Sequence, residues 1–281
     1  MTWDLRCGRW QDTLAGVECD ALIVDAPYSA RTHGGHDSAP TVGGLYGRTT
    51  HGSHRSGLAL SRPGVSTTAC VRRAINYDGW TQDDVRAFVA SWAPRTRGWI
   101  VTITDHVLAS VWDAALADAG RYVFAPLPWF SPGSRVRLTG DGPSSWTCWI
   151  VVARPRSGED RNGRPFNKWG TLPGGYMFTS DGIGNTPNGG RKRTIVGGKP
   201  PALMRALVRD YTRPGDLVCD PCAGGGTTLL AAVQEGRRAV GSEMDSETHA
   251  QAVARLEREL RQGGLFRAPT VPASEQVGLD L

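Results

Sequence analysis

The segment that most constrains the fold is DLVCDPCAGGGTTLLAAVQEGRRAVGSEMD, residues 216–245. Its pattern predicts a strand that ends at Asp220, three glycines at 224–226, a helix that begins at Thr227 and a second strand that ends at Glu243. Glycine lets a backbone approach a ligand closely, and a helix N-terminus offers free N–H donors. An acid about 20 residues beyond the first glycine can accept hydrogen bonds from ribose hydroxyls. The segment therefore predicts a nucleoside-binding site.

Two other glycine-rich sites fit this segment less well. A dinucleotide fingerprint requires a third glycine at position 229, where this chain has Leu229. A phosphate-binding loop requires Gly-Lys-Ser/Thr, and no lysine follows Gly226. Both phosphate-binding interpretations are weakened by these differences.

A second informative segment is ALIVDAPY, residues 21–28. A short apolar run that ends in an acid and a proline predicts a buried parallel strand with Asp25 at its tip. Elsewhere, predicted strands alternate with predicted helices, which indicates an α/β fold with a mostly parallel, Rossmann-like sheet. The predicted helices are TQDDVRAFVASWAP, HVLASVWDAALADAG, PPALMRALVRDYT and SETHAQAVARLERELRQGG, and the further strands are GWIVTIT, YVFAPLPWF and WTCWIVVARP.

Positive charge is concentrated in two segments of the chain. The net charge of the 281 residues is +5, but residues 29–77 carry +5, residues 130–199 carry +7, and the remainder carries −7. This segregation is typical of a protein with a polyanion-binding face, so we expect a nucleic acid partner. No run approaches the roughly 18 apolar residues of a membrane helix, and the N-terminus lacks a signal-peptide core. Six scattered cysteines suit a reducing compartment, so we expect a cytoplasmic protein with no membrane partner.

Several motifs resemble those of the amino-group DNA methyltransferases. DPCAGGGTT is similar to their DPFxGSGTT motif, which binds S-adenosylmethionine, and DAPY is similar to their catalytic DPPY. GKPPALMRALVRDYTRPGD resembles the helix before their glycine motif, and CGRWQDTLAGVECDALIVDAPY resembles their opening, with an acid in a short loop. The catalytic motif precedes the glycine motif, which is the order of the permuted beta group. The resemblance covers about residues 4–260.

The resemblance implies that residues 25–28 carry the chemistry. The lone pair of an exocyclic amine is delocalised into the base ring, so acceptors for its two N–H groups favour the pyramidal nitrogen that can attack a methyl group. Asp25 would supply a carboxylate, Ala26 a backbone carbonyl and Tyr28 a stacking surface for a flipped base. The family has proline where this chain has Ala26, but only the carbonyl is used there, and Pro27 still favours extended angles at Ala26.

The resemblance also implies a cofactor site and a DNA-binding surface. The residues expected to bind S-adenosylmethionine are Asp12, Lys199, Pro200, Asp220, Pro221, Ala223, Gly224, Gly226, Thr227, Glu243 and Met244. Lys199 and Pro200 would line the methionine end, Glu243 the ribose, and Met244 and Asp12 the adenine. The residues expected to contact double-stranded DNA are Arg31, His33, His36, Arg191, Lys192 and Arg193.

The predicted organisation has four parts. Residues 1–129 form the catalytic half, with 29–76 as a DNA-facing lid. Residues 130–198 form a target-recognition region, 199–264 the cofactor-binding half and 265–281 a tail. No metal is expected, because the Cys-x-x-Cys at Cys219 and Cys222 lies inside the glycine motif and has no partner pair. Two His-x-x-His pairs in the lid are assigned to DNA contact or solvent.

The expected function is site-specific methylation of DNA, as in restriction-modification systems, at adenine N6. Cytosine N4 is the alternative, because cytosine carries the same amine on a smaller ring. An RNA or protein-amide methyltransferase is disfavoured by the motif order, and a decayed DNA-binding protein is disfavoured by the intact Asp25, Tyr28, Gly224 and Glu243. A homodimer and a separate nuclease partner both stay open at this stage.

Overall fold

The structure is a computed structural model that describes residues 2–32, 77–132, 143, 145–178 and 198–264. Strands and helices alternate along most of this part of the chain, as predicted. The strands are β1 (Trp3–Cys7), β2 (Ala21–Asp25), β3 (Ile100–Thr104), β4 (Arg121–Val123), β5 (Leu127–Phe130), β6 (Thr147–Pro155), β7 (Tyr176–Met177), β8 (Leu217–Asp220) and β9 (Arg238–Glu243). The helices are α1 (Trp10–Thr13), α2 (Gln82–Trp92), α3 (Ala109–Asp118), α4 (Pro201–Tyr211), α5 (Thr227–Gln234) and α6 (Ser246–Gly264).

The described strands form one mixed sheet in the order β1-β9-β8-β2-β3-β6-β5-β7, and β4 also pairs with β6. The five strands from β1 to β3 in this order are parallel, whereas β6 is antiparallel to β3, β4 and β5. The α/β fold with a mostly parallel central sheet is therefore confirmed.

The strand order reverses between β8 and β2. From β8 the chain moves outward through α5 to β9, whereas from β2 it moves in the opposite direction to β3. Helices that leave two such strands run over opposite faces of the sheet, so a crevice opens at the carboxyl ends of the strands. Asp25 ends β2 and Asp220 ends β8, so this topology brings the two predicted motifs to one place.

The sheet is covered on both faces, which explains the apolar run of β2. Ile23 packs into a core with α4, α5 and α6, whereas Leu22 and Val24 pack into a second core with α2 and α3. Successive residues of a strand point to opposite faces, so a strand buried on both sides has no polar alternation. The apolar run of β2 thus places it in the centre of the sheet.

At the amino ends of the strands, a polar network ties β2 to β8. The carboxylate of Asp20 accepts hydrogen bonds from the Leu217 amide and the Asn162 side chain, both at 2.8 Å. Arg164 joins Asp160 at 2.6 Å to Asp216 at 2.5 Å. These contacts set the register of the two central strands, and hence the relative height of their tips.

Four predictions differ in detail from the structure. YVFAPLPWF was predicted as one strand, but Pro126 cannot donate a ladder hydrogen bond, and the segment splits into β4 and β5. The helix predicted from His106 begins at Ala109, after the Asp105 carboxylate accepts the amides of Val107 and Leu108. Asp12 lies in the single turn α1 rather than in a loop. β6 falls inside the predicted recognition region 130–198, yet it is a strand of the main sheet.

Candidate active site

The turn DAPY lies at the carboxyl end of β2 and is held from several sides. Ala26 is buried, and Pro27 leads into Tyr28, whose hydroxyl lies 3.6 Å from the thiol of Cys148 on β6. The Tyr28 carbonyl accepts the Trp80 amide at 2.9 Å. Segment 77–80 therefore runs beside the turn and fixes its backbone.

Asp25 is the last residue of β2, and its carboxylate forms an ion pair with the ammonium of Lys199. The same ammonium lies 5.0 Å from the centroid of the Tyr28 ring. Lys199 precedes α4, whose N-cap is Pro200. Lys199 was predicted in the cofactor site, and in the structure its ammonium lies against the DAPY turn.

The glycine loop between β8 and α5 has one open side. Gly224 has φ of +48° and Gly226 has φ of +71°, in the left-handed region that favours glycine. A Cβ atom on Gly224 would meet no atom within 4 Å, whereas one on Gly226 would meet Leu256 at 3.2 Å. The space beside Gly224 is therefore available to a ligand, and the conformation of Gly226 serves packing against α6.

Acidic side chains end the three strands around this crevice. Asp220 is buried behind the loop, where it accepts the Cys222 amide at 3.1 Å, and burial together with the charges of Asp25 and Glu243 raises the pKa of Asp220 to about 7. Glu243 accepts the Gly224 amide at 2.9 Å and the Asp245 amide at 2.8 Å. Burial raises the pKa of Glu243 above its ordinary value. The crevice thus suits a ligand that brings positive charge.

The remaining predicted cofactor residues surround this crevice or border it. The glycine loop and the start of α5 contain Pro221, Ala223 and Thr227. The Ala223 amide donates a hydrogen bond to the backbone carbonyl of Ser242 in β9 at 2.9 Å. Met244 follows β9 and is 57% exposed. Asp12 is exposed on α1, next to Thr13, whose hydroxyl is 2.7 Å from that of Ser242. The structure therefore brings Asp12 and Met244 to the same end of β9.

Two further residues belong to the site but were not predicted. Asp105 follows β3 and accepts hydrogen bonds from Ser29 and Thr32, just after the DAPY turn. An acid after the apolar strand GWIVTIT is the same signal that identified Asp25, so the sequence carried this information. Tyr77 begins the segment that runs beside the DAPY turn, and the residue is 44% exposed. Desolvation of its hydroxyl, with the charges of Asp25, Cys222 and Glu243, raises its pKa above the ordinary value. No sequence pattern marks Tyr77.

The predicted DNA-contact residues lie mostly outside the described residues. Arg31 is exposed, two residues beyond Ser29. The other five lie outside the described ranges: His33, His36, Arg191, Lys192 and Arg193. The part of the lid from residue 33 to 76 and the tail from 265 to 281 also lie outside them. Within the described ranges, no group of three or more His, Cys, Asp and Glu side chains is arranged to hold a metal, and no helix could cross a membrane.

Parts of the chain are similar in sequence to known DNA methyltransferases. Residues 147–254 match the model of the N6/N4 methyltransferase family, described as DNA methylase. The type II methyltransferase M.XycI of Xanthomonas campestris pv. cyanopsidis is 41% identical over 150 residues, which are 51% of this chain and 47% of that protein. The chain spans about half the length of M.XycI and between 10% and 30% of the length of five further curated relatives.

Two solved structures share the fold. The complex of M1.HpyAVI with S-adenosylmethionine superposes with a TM-score of 0.58 at 19% identity, over 90% of this chain and 98% of that one. The cytosine-N4-specific PvuII DNA methyltransferase gives a TM-score of 0.55 at 14% identity, over 96% and 88% of the two chains. At these identities the likeness concerns the fold, a Rossmann-like methyltransferase sheet. Separately, the family match over residues 147–254 and the identity to M.XycI make those parts of the chain similar in sequence to DNA methyltransferases.

Proposed function

We propose that this protein transfers a methyl group from S-adenosylmethionine to an exocyclic amine of double-stranded DNA, at adenine N6. One observation carries the proposal. The DAPY turn and the glycine loop, far apart in the sequence, lie at the carboxyl ends of neighbouring strands, where the order of the sheet reverses. A site for a methyl donor beside a site for a flipped base is what this transfer requires.

The crevice fits the cofactor in shape and charge. The open side of Gly224 admits a ligand against the backbone, and the acids at the tips of β2, β8 and β9 suit a positively charged sulfonium. A carboxylate has about four acceptor positions, so Glu243 can bind ribose hydroxyls in addition to its two backbone amides. When bound, S-adenosylmethionine supplies an activated methyl group. The backbone of Asp220, Pro221, Ala223, Gly226 and Thr227 would hold it, with Asp12, Pro200 and Met244 at its ends.

The DAPY turn would prepare the amine for attack. The Asp25 carboxylate and the Ala26 carbonyl accept its two N–H groups, which favours a pyramidal nitrogen with a free lone pair. Tyr28 stacks on the extruded base and fixes its plane. The bound donor would supply the methyl group and keep the electron pair of the broken S–C bond, and Asp25 would take the proton that the amine loses.

Adenine is proposed over cytosine on two grounds. DPPY-like motifs favour adenine as the target base. A two-ring base also offers Tyr28 a larger stacking area than a one-ring base. The amine chemistry is the same for both bases, and the fold likeness extends to the cytosine-N4-specific PvuII enzyme. Cytosine N4 is therefore the second candidate.

The DNA would lie across the two basic segments, 29–77 and 130–199. We propose that the lid and the recognition region contact it there, with Arg31, His33, His36, Arg191, Lys192 and Arg193 on phosphates or base edges. The protein would work in the cytoplasm as the modification enzyme of a restriction-modification system, beside a nuclease encoded separately if one is present.

Mass spectrometry of nucleosides from DNA treated with the protein tests this function. Wild type should produce N6-methyladenine, whereas Asp25→Ala should produce none and still bind cofactor in calorimetry, because the carboxylate acts on the amine. Asp118→Ala removes an exposed carboxylate far from the crevice and should behave as wild type. N4-methylcytosine alone would refute the adenine assignment, and full turnover by Asp25→Ala would refute the mechanism.

A further inference from the structure

Lys199 occupies the accessible oxygen of the catalytic carboxylate. Oδ1 of Asp25 is buried, and Oδ2 accepts the ammonium of Lys199. The Lys199 side chain is itself only 12% exposed. An amine that arrives from solvent therefore meets the oxygen that the ammonium already holds.

The ammonium also lies over the aromatic ring that would receive the base. Its nitrogen is 5.0 Å from the centroid of Tyr28, within the range of a cation–π contact. Lys199 thus contacts both groups that the proposed mechanism assigns to the target nucleotide, the acceptor for its amine and the stacking surface for its ring.

A lysine at position 199 is unusual, because lysine is rare in this chain. The sequence contains 29 arginines and three lysines, at positions 168, 192 and 199. An arginine could hold Asp25 through two parallel hydrogen bonds, whereas lysine presents a compact point charge on a flexible four-carbon stem. A lysine can therefore pair with the carboxylate before the base arrives. It can then move away at a smaller cost in free energy than an arginine held by two hydrogen bonds.

We propose that Lys199 is a placeholder for the target amine, which the flipped base displaces from Asp25. This inference rests on the proposed function. The ion pair keeps the carboxylate satisfied while no base is bound, and breaking it opposes base entry. Lys199 would then set how readily DNA enters the site, as a positioning residue that leaves before methyl transfer.

The first test compares initial rates of methyl transfer to unmethylated genomic DNA at saturating S-adenosylmethionine. Lys199→Met keeps most of the length of the side chain without its charge, so KM for DNA should fall about two- to fivefold, the range expected on removing one ion pair. Lys199→Arg retains a competing cation, and its KM should not fall. An unchanged or higher KM in Lys199→Met would overturn the inference and would leave Lys199 as a group that orients Asp25 throughout the reaction.

The second test needs no activity, so it separates failure of this inference from failure of the proposed function. A pulse of N-hydroxysuccinimidyl acetate labels accessible amines, and mass spectrometry resolves three lysines readily. Lys168 is exposed and serves as the internal control. Lys199 should label at least tenfold more slowly than Lys168 in wild type, and faster in Asp25→Asn. Equal labelling of the two lysines in wild type would overturn the inference by itself, whereas slow labelling of Lys199 without methyl transfer by wild type would overturn the proposed function and, with it, the placeholder role.

Discussion

The Asp105 carboxylate accepts hydrogen bonds from both the amide and the hydroxyl of Ser29, at 2.9 and 2.5 Å. Ser29 follows Tyr28 directly, so the end of β3 holds the DAPY turn in place. Burial works against ionisation of Asp105, but hydrogen bonds from Ser29, Thr32 and Leu108 lower its pKa below the ordinary value. The turn is thus anchored to a carboxylate that stays ionised.

Asp105→Asn should slow methyl transfer without loss of cofactor binding. The amide would break at least one of the bonds to Ser29, and a small displacement of Tyr28 and Asp25 costs orientation, so we expect kcat to fall about tenfold or more. Because the folded-state pKa of Asp105 is lowered, its contribution to stability is present above the unfolded-state value and is lost as pH falls through the folded-state value. The free energy of unfolding of the variant should therefore decrease less than that of wild type as pH falls. Asp83→Asn, at an exposed carboxylate, should change neither property.

Gly224→Ala should weaken S-adenosylmethionine binding at least tenfold, because its methyl group enters the open side of the glycine loop. Gly236→Ala is a matched control, since Gly236 also has a positive φ, of +80°, and no atom within 4 Å of a Cβ atom. Each substitution should cost about 1 kcal/mol of stability from the left-handed backbone. Calorimetry that shows equal cofactor affinity in the two variants would place the cofactor elsewhere.

Asp220→Asn should remove a pH dependence of stability. The pKa of Asp220 is about 7 in the folded protein, so between roughly pH 4 and 7 the folded chain holds a proton that the unfolded chain has released. That contribution to stability is lost as pH rises through 7, by up to about 1.4 kcal/mol per pH unit. In thermal unfolding, the stability of the variant relative to wild type should therefore rise from pH 5 to about 7 and level off by pH 8. Parallel curves for the two proteins would contradict a raised pKa.

DNA affinity should fall steeply with salt, because bound arginines displace counterions from phosphates. Replacement of Arg191 and Arg193 by glutamine should weaken binding and reduce the slope of log affinity against log salt by about two. Arg261→Gln is the control, since Arg261 is exposed on α6, outside both basic segments. A slope equal to wild type in the double variant would assign the DNA-binding face to other residues.

Local patterns accounted for much of the fold. The Thr81 cap and the apolar spacing of Val85, Phe88 and Val89 predicted α2, and the structure confirms the helix with a reciprocal capping box between Thr81 and Asp84. β1 was not predicted, because its short alternating segment becomes a strand only by pairing with β9, more than 230 residues away. Propensity within a window does not contain such a pairing.

In the site, too, residues marked by local sequence patterns were predicted, whereas contacts between distant residues were not. Asp25 was identified because it ends an apolar strand, and Glu243 because it ends the next strand about 20 residues beyond the first glycine. Both signals lie within short stretches of sequence. The partner of Asp25 could not be found in this way, because Lys199 is 174 positions away and is brought to it by the placement of α4. Asp105 carried the strand-end signal but lacked a motif around it, so its anchoring role emerged only from the contact with Ser29.

The pairing of β2 with β8 also has a consequence for synthesis. The Asp20 carboxylate accepts a hydrogen bond from the amide of Leu217, which is synthesised 197 positions later. At the usual rates of translation, the edge of β2 is without its neighbour for about 10 to 40 s after it leaves the ribosome. During that interval an apolar strand, destined to be covered on both faces, presents unpaired backbone groups to other chains. The cell must keep that strand from aggregating until β8 has been made, so the yield of folded protein should depend on the speed of translation and on chaperones.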